Sequence, residues 1–495
     1  MHIGDLMAES GVKFGTSGAR GLASEMTDWV SYAYTVGFLR YLQEVGVLVP
    51  GQAVGIAGDL RPSTPRIMAA CAQAALDQGC RPINCGPIPS PALAAYGIAL
   101  GIPSLMVTGS HIPDDRNGIK FNLPTGEILK QDEEGIREQE VKRPSGVFDA
   151  AGAFIDTDAA RLPSRDDSAY RDYIARYLDF FPPGCLAGLR VGIYEHSSVA
   201  REAYADVLGG LGVEIVRLGR SAQFIPVDTE AIRSEDIDLA RQWATADRFD
   251  ALVSADGDGD RPLVGDEQGV WLRGDIAGVL CARQLGVAGV VTPVSSNTAV
   301  EKCGCFQSVL RTRIGSPFVI EGMQTLIDRG LSPVVGYEAN GGFLLGSPIE
   351  ADDRRLAALP TRDAVLVAVT ILLASVEQGK PLSALASDLP HRFTYSDRLK
   401  DFPTHISQAR IATLVSGDFP QDKAAIESLF GASFGPVIST DTTDGLRITF
   451  ASGEIAHLRP SGNAPELRAY TEADTSERAR DMNAICMEIL ASWRR

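Results

Sequence analysis

Three times along the chain a short apolar run ends in a small polar loop and passes into a helical stretch. These are Val54 to Asp59 into Arg61-Pro62-Ser63, Leu189 to Tyr194 into Ser197-Ser198, and Val290 to Val294 into Ser295-Ser296. The runs are short and rich in Val and Ile, as buried strands are. The stretch Pro65 to Gly79 spaces Ile67, Cys71, Ala74 and Ala75 along one face of a helix. Alternating strand and helix predicts sheets covered on both faces by helices, and three repeats predict three α/β units of similar build.

A chain of 495 residues is too long for one core, since a domain takes roughly 100 to 200 residues. Several lobes with clefts between them are expected. Turn-rich joints fall at Lys142 to Gly146 with Leu162-Pro163-Ser164, at Arg273-Gly274 and at Ser387 to His391. They divide the chain into 1–163, 164–273, 274–389 and 390–495. The last part changes character. Arg447 to Phe450 and Glu454 to Leu458 read as hairpin strands around Ala451-Ser452-Gly453, and Ser476 to Trp493 as a closing helix, so a smaller α+β domain is expected there.

The formal charge of −17, with no long Lys/Arg cluster, excludes nucleic acid and anionic membrane as partners. Any bound phosphate must therefore be met by local arginines and backbone N–H groups. Neither a signal-peptide pattern at Met1 to Lys13 nor an apolar run of about 18 residues is present, and a cytoplasmic location is expected. Of eight cysteines only Cys303 and Cys305 are close neighbours, a poor zinc signature, so buried thiols are expected.

Four loops carry chemistry. Val107-Thr108-Gly109-Ser110-His111-Ile112-Pro113 follows the apolar run Ile102 to Val107, with Asn117-Gly118-Ile119-Lys120 close behind. A small-residue loop after a buried strand presents a side chain at the open end of a sheet. Ser110 there can carry a phosphoryl group, with His111 or Lys120 near to move a proton or balance charge; the alternative is a turn or helix-capping serine. Asp256-Gly257-Asp258-Gly259-Asp260-Arg261 follows Ala251-Leu252-Val253 and precedes Pro262-Leu263-Val264. Alternating carboxylates and glycines can wrap oxygens around one hard cation. A calcium-binding EF-hand is the rival, with Glu267 at its twelfth position, but Arg261 stands where that loop needs glycine. A solvated acidic turn is the remaining alternative.

Gly336-Tyr337-Glu338-Ala339-Asn340-Gly341-Gly342 offers Glu338 as acceptor and Asn340 as donor and acceptor for sugar hydroxyls, although Asn-Gly is also an ordinary hairpin turn. Arg459-Pro460-Ser461-Gly462-Asn463-Ala464-Pro465, followed by Glu466-Leu467-Arg468, brackets a turn with two arginines. Bidentate donors, a hydroxyl and free N–H groups suit a phosphate dianion; a plain surface turn is the alternative.

Taken with Phe14-Gly15-Thr16-Ser17-Gly18-Ala19-Arg20-Gly21, these loops in this order resemble the α-D-phosphohexomutase superfamily over nearly the whole chain. The resemblance implies a heart-shaped, four-domain α/β enzyme: three related α/β domains and a smaller α+β C-terminal domain around a central cleft. It implies that Ser110 is phosphorylated, and that Asp256, Asp258 and Asp260 bind Mg²⁺ together with an oxygen of the Ser110 phosphate. It also implies that Arg20 and Lys120 lie beside the transferring group. Arg261, Glu338, Asn340, Arg459, Ser461, Gly462, Asn463 and Arg468 are the candidate substrate-binding residues. The serine loop departs from the family's usual Thr-Ala-Ser-His-Asn-Pro at Gly109 and Ile112. Asn340 stands where Ser is usual, and Asn463-Ala464 replaces Thr-Glu.

The expected reaction interconverts a hexose 1-phosphate and a hexose 6-phosphate through phosphoserine and a 1,6-bisphosphate, which also serves as activator. Glu-Ala-Asn-Gly-Gly with Arg-Pro-Ser-Gly-Asn resembles the bacterial phosphomannomutases of the family, which favours mannose phosphates; glucose and glucosamine phosphates are the alternatives. A non-catalytic sugar-phosphate binder and a phosphatase are further rivals. His111, Lys120 or another group takes the hydroxyl proton. Expected partners are a hexose monophosphate and, at most, further copies of the chain, as a monomer or small homo-oligomer.

Overall fold

The computed structural model describes residues 1–15, 18–156, 161–461 and 465–494. The three runs that repeat in the sequence each lead a set of four strands, and the three sets share one strand order. In the first unit, Ala53–Gly58 lies between Arg81–Pro87 and Ser104–Val107, both parallel to it, and Arg116–Leu123 returns antiparallel beside Ser104–Val107. In the second, Arg190–Tyr194 lies between Glu214–Leu218 and Ala251–Ala255, with Pro262–Gly265 antiparallel at the end. In the third, Gly289–Pro293 lies between Ser308–Thr312 and Val334–Tyr337, with Phe343–Leu345 antiparallel. Numbered in chain order within each set of four, the order is second, first, third, fourth, and in the first unit Gly18–Leu22 and Lys13–Phe14 extend the sheet beyond the fourth.

This order explains where the chemistry sits. The serine, aspartate and glutamate loops each join the third strand of a unit to its fourth. Each thus leaves a parallel strand at its carboxyl end, beside the point where strand order reverses, which is where open α/β sheets bind ligands. The C-terminal unit differs. Its five strands, Phe393–Leu399, Leu467–Ala473, Ile455–Pro460, Leu446–Phe450 and Val437–Asp441, are all antiparallel. The helix Ser476–Ser492 packs on this sheet through Ala479, Met482, Cys486 and Leu490. The fourth loop is the hairpin between Ile455–Pro460 and Leu467–Ala473.

The first three units are joined more closely than separate lobes would be. One hydrophobic core runs from Ile83 and Met106 through Val191 and Val253 to Val290 and Tyr337. The helix Ala364–Gln378 is buried on nearly every side within it, as an all-round apolar helix must be. Asp363 caps that helix, accepting from Leu366 N–H, and also receives the hydroxyls of Tyr173 and Tyr177 from the helix Ser168–Phe180. The C-terminal unit keeps its own core around Phe402, Phe430, Phe434 and Phe450. The thiols follow expectation only in part: Cys71, Cys80, Cys85, Cys281 and Cys486 are buried, but Cys305 is exposed. Cys305 lies in the irregular segment after the short helix Ala299–Lys302, outside any core-facing periodicity. Among the described residues no helix is long and apolar enough to cross a membrane.

His457 lies in the C-terminal sheet, donates from Nε2 to the Asp444 carbonyl at 2.6 Å, and leaves Nδ1 without a hydrogen-bond partner among the described residues. Burial pushes its pKa down to about 4, against about 6.5 in an unfolded chain. Between these values the unfolded chain binds more protons. The stability contributed by neutral His457 is therefore complete above about pH 6.5 and is lost as pH falls towards 4. Thermal melts should show the advantage of wild type over His457→Gln shrinking across this range, by about 3 kcal/mol in all. Parallel pH curves would contradict a buried neutral imidazole.

Candidate active site

Ser110 is 1% exposed and adopts a left-handed backbone, φ +57°. Its Oγ donates to Asp256 Oδ2 at 2.5 Å and lies 3.3 Å from His111 Nδ1. The serine loop of the first unit and the aspartate loop of the second therefore meet directly.

Asp256, Asp258 and Asp260 are all buried, and one oxygen of each lies within 4.8 Å of the others. Asp256 Oδ1 accepts the N–H groups of Asp260 and Arg261, both at 3.2 Å. Asp258 Oδ2 accepts from Lys120 Nζ at 2.6 Å and Ser90 Oγ at 2.5 Å. Asp260 Oδ2 accepts from Lys120 Nζ at 2.6 Å and Arg362 Nε at 3.1 Å. That leaves Oδ1 of both Asp258 and Asp260 buried with no hydrogen-bond partner among the described residues. Burial first, then the charges of Asp258 and Asp260, push the Asp256 carboxyl well above the usual range. A buried acceptor left bare is costly, and three carboxylates with an oxygen each within 4.8 Å of the others, two of the three also carrying a bare oxygen, fit a hard divalent cation. The triad can hold a metal.

Arg20 and Lys120 reach the site by strand register. In the antiparallel pair of Gly18–Leu22 with Arg116–Leu123, Gly18 faces Lys120 and Gly118 faces Arg20. Directly opposed residues project to the same face of a sheet, so both cations point one way and each stands across from a glycine. A Cβ at Gly18 would lie 2.0 Å from the Ile119 carbonyl oxygen, so this position takes only glycine. Burial lowers the Lys120 pKa, but Asp258 and Asp260 outweigh it and the net shift is upward, which keeps the ammonium charged. Burial and the Arg261 cation lower Arg20 to about 10, still a cation at neutral pH.

Arg261 donates to His111 Nδ1 at 2.9 Å. Guanidinium has no acceptor, so Nδ1 is bare and neutral His111 carries its proton on Nε2. Burial, then Arg261, push the His111 pKa down to about 3. With that tautomer the Nε2–H of His111 is a hydrogen-bond donor.

Glu338 and Asn340 are 5% and 8% exposed. Asn340 Oδ1 accepts the Gly342 N–H at 2.9 Å, and its main-chain carbonyl accepts from Thr229 Oγ1 at 2.6 Å. One acceptor site of its amide oxygen is thus used within the loop. In the fourth loop Arg459 Nε lies 2.9 Å from Asp444 Oδ2, and Arg468 is paired with Glu466 at 2.9 Å. The Ser461 N–H donates to the Glu466 carbonyl at 2.8 Å. Gly462 and Asn463 lie outside the described residues.

One cleft of 340 Å³ brings these groups together: Arg20, Ser110, His111, Lys120 and Arg261 from one side, Glu338 and Asn340 from another, and Arg459, Ser461 and Arg468 from the C-terminal unit. The size suits a small polar ligand. Residues without a motif also line it, among them the charged Glu230 and Arg362. Arg362, 3% exposed, joins Asp260, Glu338 at 3.5 Å and Glu127 at 3.6 Å, one from each of the first three units. The only trace of it in the sequence is a charged Arg362-Asp363 step between apolar runs. Glu230 leaves no such trace.

Family models described as phosphoglucomutase/phosphomannomutase alpha/beta/alpha domain I, alpha/beta/alpha domain III and C-terminal domain match residues 11–144, 273–393 and 414–489. A phosphomannomutase of Sinorhizobium fredii is 44% identical over 97% of this chain and 99% of its own. A phosphomannomutase of Salmonella muenchen is 43% identical over 96% and 95%. The crystal structure of a phosphoglucomutase/phosphomannomutase family protein from Burkholderia thailandensis superposes with a TM-score of 0.71, covering 97% of each chain at 19% identity, and so shares the fold. With its four loops gathered at one cleft and this identity over nearly its full length, the chain belongs to the phosphoglucomutase/phosphomannomutase family of phosphohexomutases.

Proposed function

We propose that this enzyme interconverts mannose 1-phosphate and mannose 6-phosphate, with Ser110 as the residue that carries the phosphoryl group. The observation that carries the reading is the contact of Ser110 Oγ with Asp256, at the floor of a cleft whose far wall holds Arg459 and Arg468. The reading divides the chain into four domains at 163, 273 and 389 and locates the enzyme in the cytoplasm.

Phosphorylated Ser110 passes its phosphoryl group to the free hydroxyl of the bound monophosphate, giving a 1,6-bisphosphate and free serine. The bisphosphate turns end for end and returns its other phosphate to Ser110. Arg459, Ser461, Asn463 and Arg468 grip whichever phosphate is not reacting, while Glu338 accepts from ring hydroxyls and Asn340 donates to them. A grip that works in both orientations places either end for in-line attack. Arg20 and Lys120 offset charge on the moving group, and His111 and Arg261 donate beside it. Asp256, Asp258 and Asp260, with an oxygen of the Ser110 phosphate, would hold Mg²⁺, which supplies electrophilic stabilisation of the phosphoryl oxygens. Hexose 1,6-bisphosphate acts as activator by giving one phosphate to Ser110 that has lost its own to hydrolysis, leaving hexose monophosphate.

The test follows ³¹P spectra of the protein with mannose 1-phosphate, Mg²⁺ and a trace of hexose 1,6-bisphosphate, then with glucose and glucosamine 1-phosphates. Mannose 6-phosphate forming with the highest kcat/KM is the expected result. Faster conversion of another sugar overturns the substrate and keeps the chemistry; phosphate release without isomerisation overturns the mutase reading.

A further inference from the structure

Beneath the Ser110 loop lies a buried ion pair that contributes nothing to the cleft surface. Arg61 and Asp59 have fully buried side chains, with Nε 3.0 Å from Oδ2. We propose that this pair sets the conformation of Ser110 and that Asp59, Arg61 and Thr108 are positioning residues for phosphoryl transfer. The proposal rests on the reading of Ser110 given above.

The conformation needs a cause. Among the described residues four that are not glycine have positive φ: Ser110, His196, Asp352 and Asp401. Both aspartates are exposed, and Asp tolerates this region. Ser110 is buried, and a left-handed serine costs about 1–2 kcal/mol. Such strain persists only where the surroundings over-determine it.

Both sides of the Ser110 peptide unit lead back to the same pair. Its N–H donates to Thr108 Oγ1 at 2.7 Å, and Thr108 Oγ1 donates to Asp59 Oδ2 at 2.7 Å. Its carbonyl accepts from Arg61 at 2.8 Å, and the same guanidinium nitrogen donates to the Ile112 carbonyl at 2.7 Å. Asp59 is fixed in turn by Thr64 Oγ1 at 2.7 Å and the Arg61 N–H at 3.1 Å. Phe224 of the second unit covers the guanidinium at 3.9 Å. A Cβ at Gly109 would stand 2.7 Å from that guanidinium, and one at Gly257 would stand 2.7 Å from the Ser110 carbonyl oxygen. The frame therefore explains glycine at position 109 and couples the serine loop to the aspartate loop.

Arg61 is no substrate ligand, because it is buried and its donors face protein oxygens. A lysine cannot reproduce a fork that reaches a carboxylate and successive carbonyls. A buried pair of this kind adds little net stability, which fits a role in geometry.

The test measures kcat, KM and thermal stability of Thr108→Val, Thr108→Ser, Arg61→Lys and Ser110→Ala. Misplacement of a reacting group by about 1 Å costs about 100-fold in rate. Thr108→Val, neutral and isosteric, should lose about 100-fold in kcat with KM changed less than about threefold, while Thr108→Ser stays within about threefold of wild type. Arg61→Lys should show the same loss in kcat if it folds, and Thr108→Val decides the matter if it does not. Wild-type kcat in Thr108→Val beside an inactive Ser110→Ala overturns the positioning role and leaves the phosphoserine standing. An active Ser110→Ala overturns both.

Discussion

Ser110→Ala should lose at least about 10⁴-fold in kcat, since no other group can carry the phosphoryl through the reaction. The loss should not come from unfolding. The substitution removes one hydroxyl and one hydrogen bond, to Asp256, worth about 1 kcal/mol, and alanine keeps the same backbone freedom as serine at φ +57°. The measurement is isomerisation of mannose 1-phosphate by purified variant and wild type, alongside their melting temperatures. A variant that is cold to substrate yet melts within a few degrees of wild type is the expected outcome. Retained isomerisation would remove Ser110 from the chemistry.

The second large effect is expected at the aspartate triad. Asp258 presents a bare buried Oδ1 and holds Lys120 and Ser90 through Oδ2. Asp258→Asn places an amide where the proposed Mg²⁺ site needs charge and frees one partner of Lys120. The Mg²⁺ concentration giving half-maximal activity should rise by at least about 100-fold, and kcat/KM at limiting Mg²⁺ should fall by about 10³-fold. Ser90→Ala removes only the orienting hydrogen bond and should cost about 10-fold. Chelation should abolish turnover in wild type, with Mg²⁺ restoring it. Full activity of Asp258→Asn in chelator would contradict a metal role for the triad.

Much of the architecture is legible from local chemistry. The runs beginning at Val54, Leu189 and Val290 are recognisable because buried parallel strands are apolar, and each proved to lead the same arrangement of four strands in its unit. The four loops stand out because glycine, aspartate and arginine in those spacings have little use inside a regular element. What local chemistry does not carry is long-range approach. Arg61 comes to Ser110 from 49 residues away and Arg362 to Asp260 from 102; Arg61 is visible only as part of a polar loop and Arg362 in no motif, because the meaning of each lies in the carbonyl or carboxylate it meets. One lone pair of the Asn340 amide oxygen is likewise used by Gly342, a fact about loop shape rather than residue type. The shared core of the first three units was hidden for a related reason. An apolar helix such as Ala364–Gln378 signals burial, but not whose side chains bury it.

The most direct test of the central claim is the fate of the phosphate. The protein would be incubated with hexose 1,6-bisphosphate and digested, and the peptide spanning Thr108 to Lys120 examined by tandem mass spectrometry before and after adding mannose 1-phosphate. The account predicts one phosphate on Ser110 before addition, turned over when substrate is present and absent from Ser110→Ala. An active enzyme that carries its phosphate elsewhere, or carries none, would contradict it.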